Sequence, residues 1–520
     1  MKRRDFVRNT SIGAIGVPFA LNGIQMNTVL KKLFSYSKTA EDRVLVLIRL
    51  NGGNDGLNTI IPLDQYDNLV IQRNNIIIPQ NQVISLGTNY LGMHPIMTGM
   101  ADMFSNGKLS IIQNVGYEQQ NRSHFKSMDI WTTGNVNSNS ATGWLGRYFD
   151  SYNPNFPNGY PNANYPHPFA ISMGYEVSTT CQGIVSNYSL AVQDPSNHTD
   201  LGTNISNPET SYYGTHLAFI ESVINQSNEY GVHVADSVDA GNTLSTLYDP
   251  DNRLAMQLRS VAQMISGGLK TKVYILNVNG FDTHDGQVVQ GDSTSGFHTS
   301  LLKTLSDAIH AFQDDLALLG IEERVLGMTF SEFGRQIASN ASYGTDHGDA
   351  APLFVFGSCI DAPIIGDNPE ILDQVVNQKG IDVQYDFRDV YASILHDWFQ
   401  TPESEVQAMF EHQVSLLPIA RSCNGPAGLT DNLLEKTGTY CYPNPCKDAT
   451  TIVFVSKSES VTLSIVDMNG RIVRNIFQKN LAQQEHHVVV STNDLDAGNY
   501  FYVIEKPSGS IKGRFQKVDI

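Results

Sequence analysis

Cysteine is scarce, with five residues in a chain of 520. That is too few for a disulfide scaffold, and none stands in a C-x-x-C pair. Cys423, Cys441 and Cys446 lie close together near a change in sequence character, so two of them can pair if the chain is exported, and the sequence leaves open which two. Cys181 and Cys359 are expected to be buried and inert. Basic residues are also short: 34 Lys and Arg stand against 52 Asp and Glu, for a formal net charge of −18. Unspecific binding to nucleic acid requires a basic face, so no nucleic-acid partner is expected. Long apolar runs are missing. The nearest is SIGAIGVPFALNG near the N-terminus, thirteen residues broken by Gly and Pro, too short to cross a bilayer, so the mature chain is expected to have no transmembrane span. No G-K-[ST] follows Gly52, Gly53 and Gly56, and no Ser-centred G-x-S-x-G lies between a strand and a helix. A nucleotide phosphate loop and a lipase-like triad are therefore both unsupported.

Apolar content of 41% and charged content of 17% describe a globular protein, and the length calls for two or three units. The first ten residues, MKRRDFVRNT, ahead of the weakly apolar stretch, have the form of a twin-arginine export signal over 1–40, although no A-x-A cleavage site precedes Val44. From 42 to 420 strand-like runs alternate with helical patterns, the signature of an α/β domain with a mostly parallel sheet. Strands are expected at Val44–Leu50, Leu109–Val115, Pro168–Ser172, Val273–Val278, Val325–Phe330 and Leu353–Phe356. Helices are expected at Leu254–Gly267, Leu301–Leu319 and Asp389–Phe399. The stretch from about 150 to 250, rich in Asn, Pro, Tyr and Ser, reads as an irregular insertion, a lid or cap. A linker over 421–437 follows. From 438 to 520 apolar and polar residues alternate with period two, with turn signals at Asn469-Gly470 and Ala497-Gly498-Asn499, predicting a small antiparallel β-sandwich.

Four loops beside the apolar runs carry acids and histidines: NGGNDGLN at 51–58, GFDTHDGQ at 280–287, SEFGR at 331–335 and GTDHGD at 344–349. In open parallel sheets the ligand site forms at the carboxyl ends of the strands, so loops distant in sequence converge there. Convergence would bring Asp55, Asp282, His284, Glu332, Asp346 and His347 into one cleft. Carboxylates and imidazoles with no lysine among them need a cation, which points to a metal-dependent hydrolase. Asp282, His284 and His347 make a nitrogen- and oxygen-rich set suited to zinc. Asp55 and Glu332, with Asn54 or Asp346, make an oxygen-rich set suited to magnesium, calcium or manganese. Two divalent ions are therefore expected, able to hold both the attacking and the leaving oxygen. The competing expectation is that these acids cap loops and pair with Arg335 or Arg388. A nucleophile is sought in NRSHF at 121–125, where Ser123 opens a helical pattern, Arg122 can clamp an anion and His124 can bind metal or move a proton. The simpler reading of Ser123 is an N-cap. Formylglycine chemistry is not expected, because no C-x-P-x-R or S-x-P-x-R element is present.

Two resemblances rest on these motifs. Tyr442-Pro443-Asn444-Pro445, the DMNGR hairpin at 467–471, LDAGNYFYV at 495–503 and a last strand with Lys512 and Lys517 resemble the C-terminal sorting domain of the Bacteroidetes type IX secretion system. The resemblance implies that the type IX machinery is a partner and that the chain passes the periplasm on its way to the cell surface or the medium. Such tails usually follow general secretory export, which sits uneasily with a twin-arginine start. The RRDF start, GGNDGLNT, RSHF at 122–125, TGWLGRY, GFDTH, TFSEFGR, GTDHG and DFRDVYASIL at 386–395 resemble the bacterial family known as domain of unknown function 1501. Its motifs are similar to those of the alkaline phosphatase–sulfatase superfamily, which implies a three-layer sandwich and hydrolysis of small phosphate or sulfate esters, including modified glycans. In that pattern Asp55 takes the place after the first strand and His347 the late histidine. Glu332 stands where an Asp-His block is expected, a departure, unless Asp346-His347 is itself that block. The alternative is a catalytically silent surface protein that uses the same fold to bind a glycan or a protein.

Overall fold

The computed structural model describes residues 42–136, 140–197, 202, 211–421, 439–442, 446–456, 459–467, 471–481, 484–507 and 509–518, with the pairs 20–21 and 24–25. The expected signal segment and linker fall almost wholly outside these residues. The chain divides into two compact units, 1–424 and 425–520.

The first unit is built on a nine-stranded sheet. Its strands are β1 (Val44–Asn51), β2 (Leu109–Gly116), β3 (Ala170–Met173), β4 (Ser189–Val192), β5 (Val273–Asn279), β6 (Val325–Ser331), β7 (Ala351–Phe356), β8 (Ile364–Ile365) and β9 (Tyr385–Asp386). The order is β8-β2-β7-β6-β1-β5-β3-β4, with β9 also on β2. Only β7 runs against its neighbours, antiparallel to both β6 and β2. Residues of successive parity face opposite layers. Val44, Val46 and Ile48 pack with Tyr274 and Leu276 on one face, Leu45 and Leu47 with Val273 and Ile275 on the other. Helices α4 (Arg253–Ser266) and α5 (Phe297–Leu318) cover the first face through Leu258, Val261, Leu305 and Ile309. Helices α2 (His124–Thr133) and α6 (Phe387–Ser393) cover the second through Ile130, Trp131, Phe387 and Tyr391. Each such side chain contributes roughly 1.5–3 kcal/mol of burial. The result is a three-layer α/β sandwich.

Register brings the loops together. Asn279 pairs with Asn51 and Ser331 with Leu50, so β1, β5 and β6 end in one row. Because β7 is antiparallel, its first residue, Ala351, pairs with Val115 at the end of β2, and the loop entering β7 lies at the same edge. Gly52 allows the closest approach: a Cβ there would stand 2.1 Å from the Asp282 backbone nitrogen. Gly344 does the same against the His284 carbonyl, at 2.3 Å.

Three expectations need correction. The stretch from 150 to 250 is not irregular throughout: β3, β4 and the 29-residue helix α3 (Tyr212–Ala240) lie within it. Interior Gly214 and Gly231 weaken its helical signal, and burial of Tyr230 and Val234 compensates. The helix expected at Asp389–Phe399 begins two residues earlier, and its last turn, Ile394–Trp398, is π-helical. Cys359 is disulfide-bonded, whereas Cys441 and Cys446 are free thiols.

In the second unit the described strands pair antiparallel within two sheets. Strands β10 (Thr439–Tyr442), β11 (Ala449–Ser456) and β14 (Gln484–Ser491) form one sheet. Strands β12 (Glu459–Val466), β13 (Ile472–Leu481), β15 (Gly498–Lys506) and β16 (Gly509–Lys517) form the other. Alternation places Val461, Leu463, Ile465, Tyr502 and Ile504 in a core with Ile452 and Phe454. The turn at Asn469-Gly470 lies outside the described residues, and Asp467 N–H donates to the Arg471 carbonyl across it.

Candidate metal centre

At the shared edge the structure brings together His124, Asp282, His284 and His347. One ligand atom each from His124, Asp282 and His347 lies within 4.8 Å of the others, the one such group among the described residues. The Nε2 atoms of His284 and His347 face each other at 2.9 Å, and both stand near Asp282 Oδ1, at 3.1 and 3.0 Å. His124 Nε2 is 3.4 Å from Asp282 Oδ2.

The far nitrogens decide what these near ones carry. His284 Nδ1 is 2.8 Å from Asp346 Oδ1, His124 Nδ1 is 3.0 Å from Glu332 Oε1, and His347 Nδ1 is 2.9 Å from the Arg122 carbonyl. All three partners accept, so each Nδ1 is the donor. In a neutral ring Nε2 then holds a lone pair, aimed inward. Burial holds His347 below the usual histidine range, favouring the neutral ring, although Asp282 pulls the other way. Burial alone would raise Asp282. Hydrogen bonds from Arg335 and His347, with the charges of Arg335 and His284, outweigh that and hold it down at about 2. Three imidazole Nε2 atoms and an ionised carboxylate thus converge, and a metal ion there would take the place of the proton that His347 shares with Asp282.

The frame around this group is rigid. Arg335, fully buried, donates to the carbonyls of Gly53 (2.8 Å), Thr345 (2.8 Å), Phe281 (3.0 Å) and Gly52, and to Asp282 Oδ1 (2.7 Å). One guanidinium therefore ties the other three loops to its own. Buried Phe333 backs the rings of His124 and His347, at centroid distances of 5.1 and 4.5 Å. Gly52 N–H donates to Glu332 Oε1 at 2.7 Å, while buried Glu332 Oε2 has no hydrogen-bond partner.

The sequence-derived candidates separate accordingly. Asp282, His284 and His347 join the group, and His124, expected beside the nucleophile or on metal, joins it too. Glu332 and Asp346 sit one step out, as acceptors for His124 and His284; Asn340 Nδ2 also holds Asp346, at 3.2 Å. Asp55 is a correction. Its carboxylate is buried against Arg73 Nη1, at 2.9 and 3.0 Å, and accepts from Gln287 at 2.6 Å. Asn54 is likewise turned away, its Oδ1 accepting from His298 Nε2 at 2.9 Å. Arg122 is a correction as an anion clamp: its guanidinium grips Asp349 through two bonds of 2.9 and 2.7 Å and donates to the Gln378 carbonyl. Ser123 stands at the N-cap of α2, exposed, and its side chain makes no capping bond. Arg73 and Asn340 carry no sequence signal, each being a lone residue outside a motif, whereas Arg335, the last residue of SEFGR, meets the expectation that it pairs with an acid of these loops.

Two segments match known families. Residues 251–416 match the protein of unknown function DUF1501, and residues 440–517 match the secretion system C-terminal sorting domain. The chain thus carries a DUF1501 segment in its first unit and a sorting domain in its second. That tail assigns it to type IX export, to the cell surface or the extracellular space. No curated protein matches the sequence. Among solved structures, an alkaline phosphatase superfamily protein from Vibrio parahaemolyticus is 11% identical, with 85% of this chain and 82% of that one covered and a TM-score of 0.32. The PsFucS1 sulfatase from Pseudoalteromonas sp. is 8% identical, with 90% and 87% covered and a TM-score of 0.31. PorZ, a surface component of the type IX secretion system of Porphyromonas gingivalis, is 23% identical over 18% of this chain and 13% of that one, with a TM-score of 0.14. Likenesses at this level are silent on activity, substrate and metal. Among the described residues no helix is long and apolar enough to cross a membrane.

Proposed function

We propose that the chain is an exported metal-dependent hydrolase of phosphate or sulfate esters, with His124, Asp282, His284 and His347 holding the metal and Ser123 as nucleophile. The observation that carries the reading is the orientation of three imidazoles, each with Nδ1 donating outward and Nε2 facing a common point beside Asp282. Outer acceptors that fix ring tautomers in this way are the usual support of metal-binding histidines. A divalent ion there would polarise an ester oxygen. Asp346, Glu332 and the Arg122 carbonyl orient the rings. Ser123 lies between Arg122, whose carbonyl holds His347, and His124, so its uncommitted hydroxyl is bracketed by two contacts to the group. The N-terminus of α2, the positive end of its helix dipole, suits an anionic ester. One observation favours the alternative, a silent binder: Arg122 is held by Asp349 rather than offered to an anion.

Metal analysis of purified full-length protein, followed by a panel of phosphate and sulfate esters, tests the reading. His347→Ala should lose metal and hydrolysis together. Ser123→Ala should lose hydrolysis by at least 100-fold, in line with removal of a nucleophile, and keep its metal. Wild-type protein that binds metal but cleaves no ester would leave the silent binder.

A further inference from the structure

We infer that the centre holds one metal ion, not the pair its acids suggest, because two buried arginines take the place of the second ion. This rests on the metal-dependent reading above. A second, oxygen-rich site would need Asp55, with Asn54, Asp346 or Glu332. Both Asp55 oxygens face Arg73 Nη1, at 3.0 and 2.9 Å, and Gln287 Nε2 lies 2.6 Å from Oδ2. Arg73 is itself fixed. It is fully buried, and it donates to the carbonyls of Ile337 and Gln336 at 2.9 and 2.8 Å, so an ion displacing it would strand those carbonyls and a buried charge. Asn54 Oδ1 accepts from His298 and Thr59. Asp346 Oδ1 accepts from His284 and Asn340. On the near side Arg335 holds Asp282 Oδ1 at 2.7 Å, the oxygen a bridging carboxylate would share between two ions. What remains is Glu332 Oε2 and the second oxygen of Asp346, on carboxylates that stand behind different rings, His124 and His284, and two such oxygens fall short of the several oxygen ligands a second site needs. Arg73 and Arg335 are therefore positioning residues. They supply fixed positive charge behind the loops without touching substrate, both being shielded from solvent. The remaining set is nitrogen-rich, which favours zinc or another first-row transition ion over calcium or magnesium.

The test is the stoichiometry of the full chain without an affinity tag. Chelator-treated protein is titrated calorimetrically with zinc alone, and separately with manganese alone. One equivalent per chain is expected, falling to none in His347→Ala. Asp55→Asn, checked for native structure by near-ultraviolet circular dichroism, should keep one equivalent. Two equivalents in wild type would overturn the single-ion inference and leave the hydrolase reading standing, as would loss of an equivalent in folded Asp55→Asn. No binding of either ion would overturn the hydrolase reading and this inference with it. If Asp55→Asn does not fold, the wild-type count decides.

Discussion

Burial acts on basic side chains in opposite ways within this molecule. Arg73 and Arg335 stay charged in the interior because carboxylates and backbone carbonyls meet their N–H groups. His298 and His94, also buried, give their charge up. Burial pushes His298 down to about 4, against the pull of Asp55, and pushes His94 down to about 3, with the His298 charge adding to the effect. The consequence for stability has a definite sign. Above pH 6.5 His298 is neutral in folded and unfolded chains alike and has no effect. As pH falls from 6.5 towards 4, the unfolded chain takes up a proton that the native site refuses, so stability is lost across that window. The depression of His298 corresponds to on the order of 3 kcal/mol. Denaturant unfolding of wild type and His298→Gln at pH 7 and pH 4.5 should show a smaller loss in the variant. Equal losses would mean that His298 is protonated in the native site.

Elements, more than single residues, decide which sequence signals were legible. The strands were readable because β-branched runs buried on both faces leave an unbroken apolar text, and the motif loops follow them directly. Convergence at one edge followed from parallel order, and even the loop ahead of β7 obeys it, since reversal of that strand brings its start to the edge where the others end. The sequence could not tell which acids line the cleft and which turn inward. Asp55 and Asp282 sit in similar Gly-flanked loops, and only Arg73, on helix α1 (Tyr66–Arg73), draws one of them away. The role of α2 is half legible: its start is marked by Ser123 in NRSHF, but nothing in the sequence marks what anchors it. Ser127, fully buried, donates to the Glu332 carbonyl and accepts from Gln120 Nε2 at 2.9 Å, which pins the first turn of α2 to the end of β6. Both His124 and Glu332 depend on that pin. Ser127→Ala removes the hydroxyl and its bonds and adds no volume. It should cost about 1–3 kcal/mol of stability and weaken zinc affinity roughly 10-fold, as loss of outer support does, with far-ultraviolet circular dichroism unchanged. Unaltered affinity would show that the anchor serves folding alone.

For the whole molecule, the candidate site and the sorting match fall in different compact units. Each has its own core: the first is centred on the nine-stranded sheet, the second on Val461, Leu463, Ile465, Tyr502 and Phe515 between two antiparallel sheets. A unit whose apolar side chains are buried among themselves does not need its neighbour to fold. The residues of the candidate metal site, from His124 to His347, all lie in the first unit, and the sorting match, 440–517, lies in the second. Removing residues from about 438 onward should therefore leave a folded protein with the same metal content and the same thermal midpoint for its first unit. The change should appear in the cell: without the sorting domain the chain should stop in the periplasm, whereas the full chain reaches the surface or the medium. Fractionation of cells expressing each form distinguishes the outcomes. Surface delivery of the truncated chain would show that the tail is a binding module, and loss of metal on truncation would show that the two units do not stand alone.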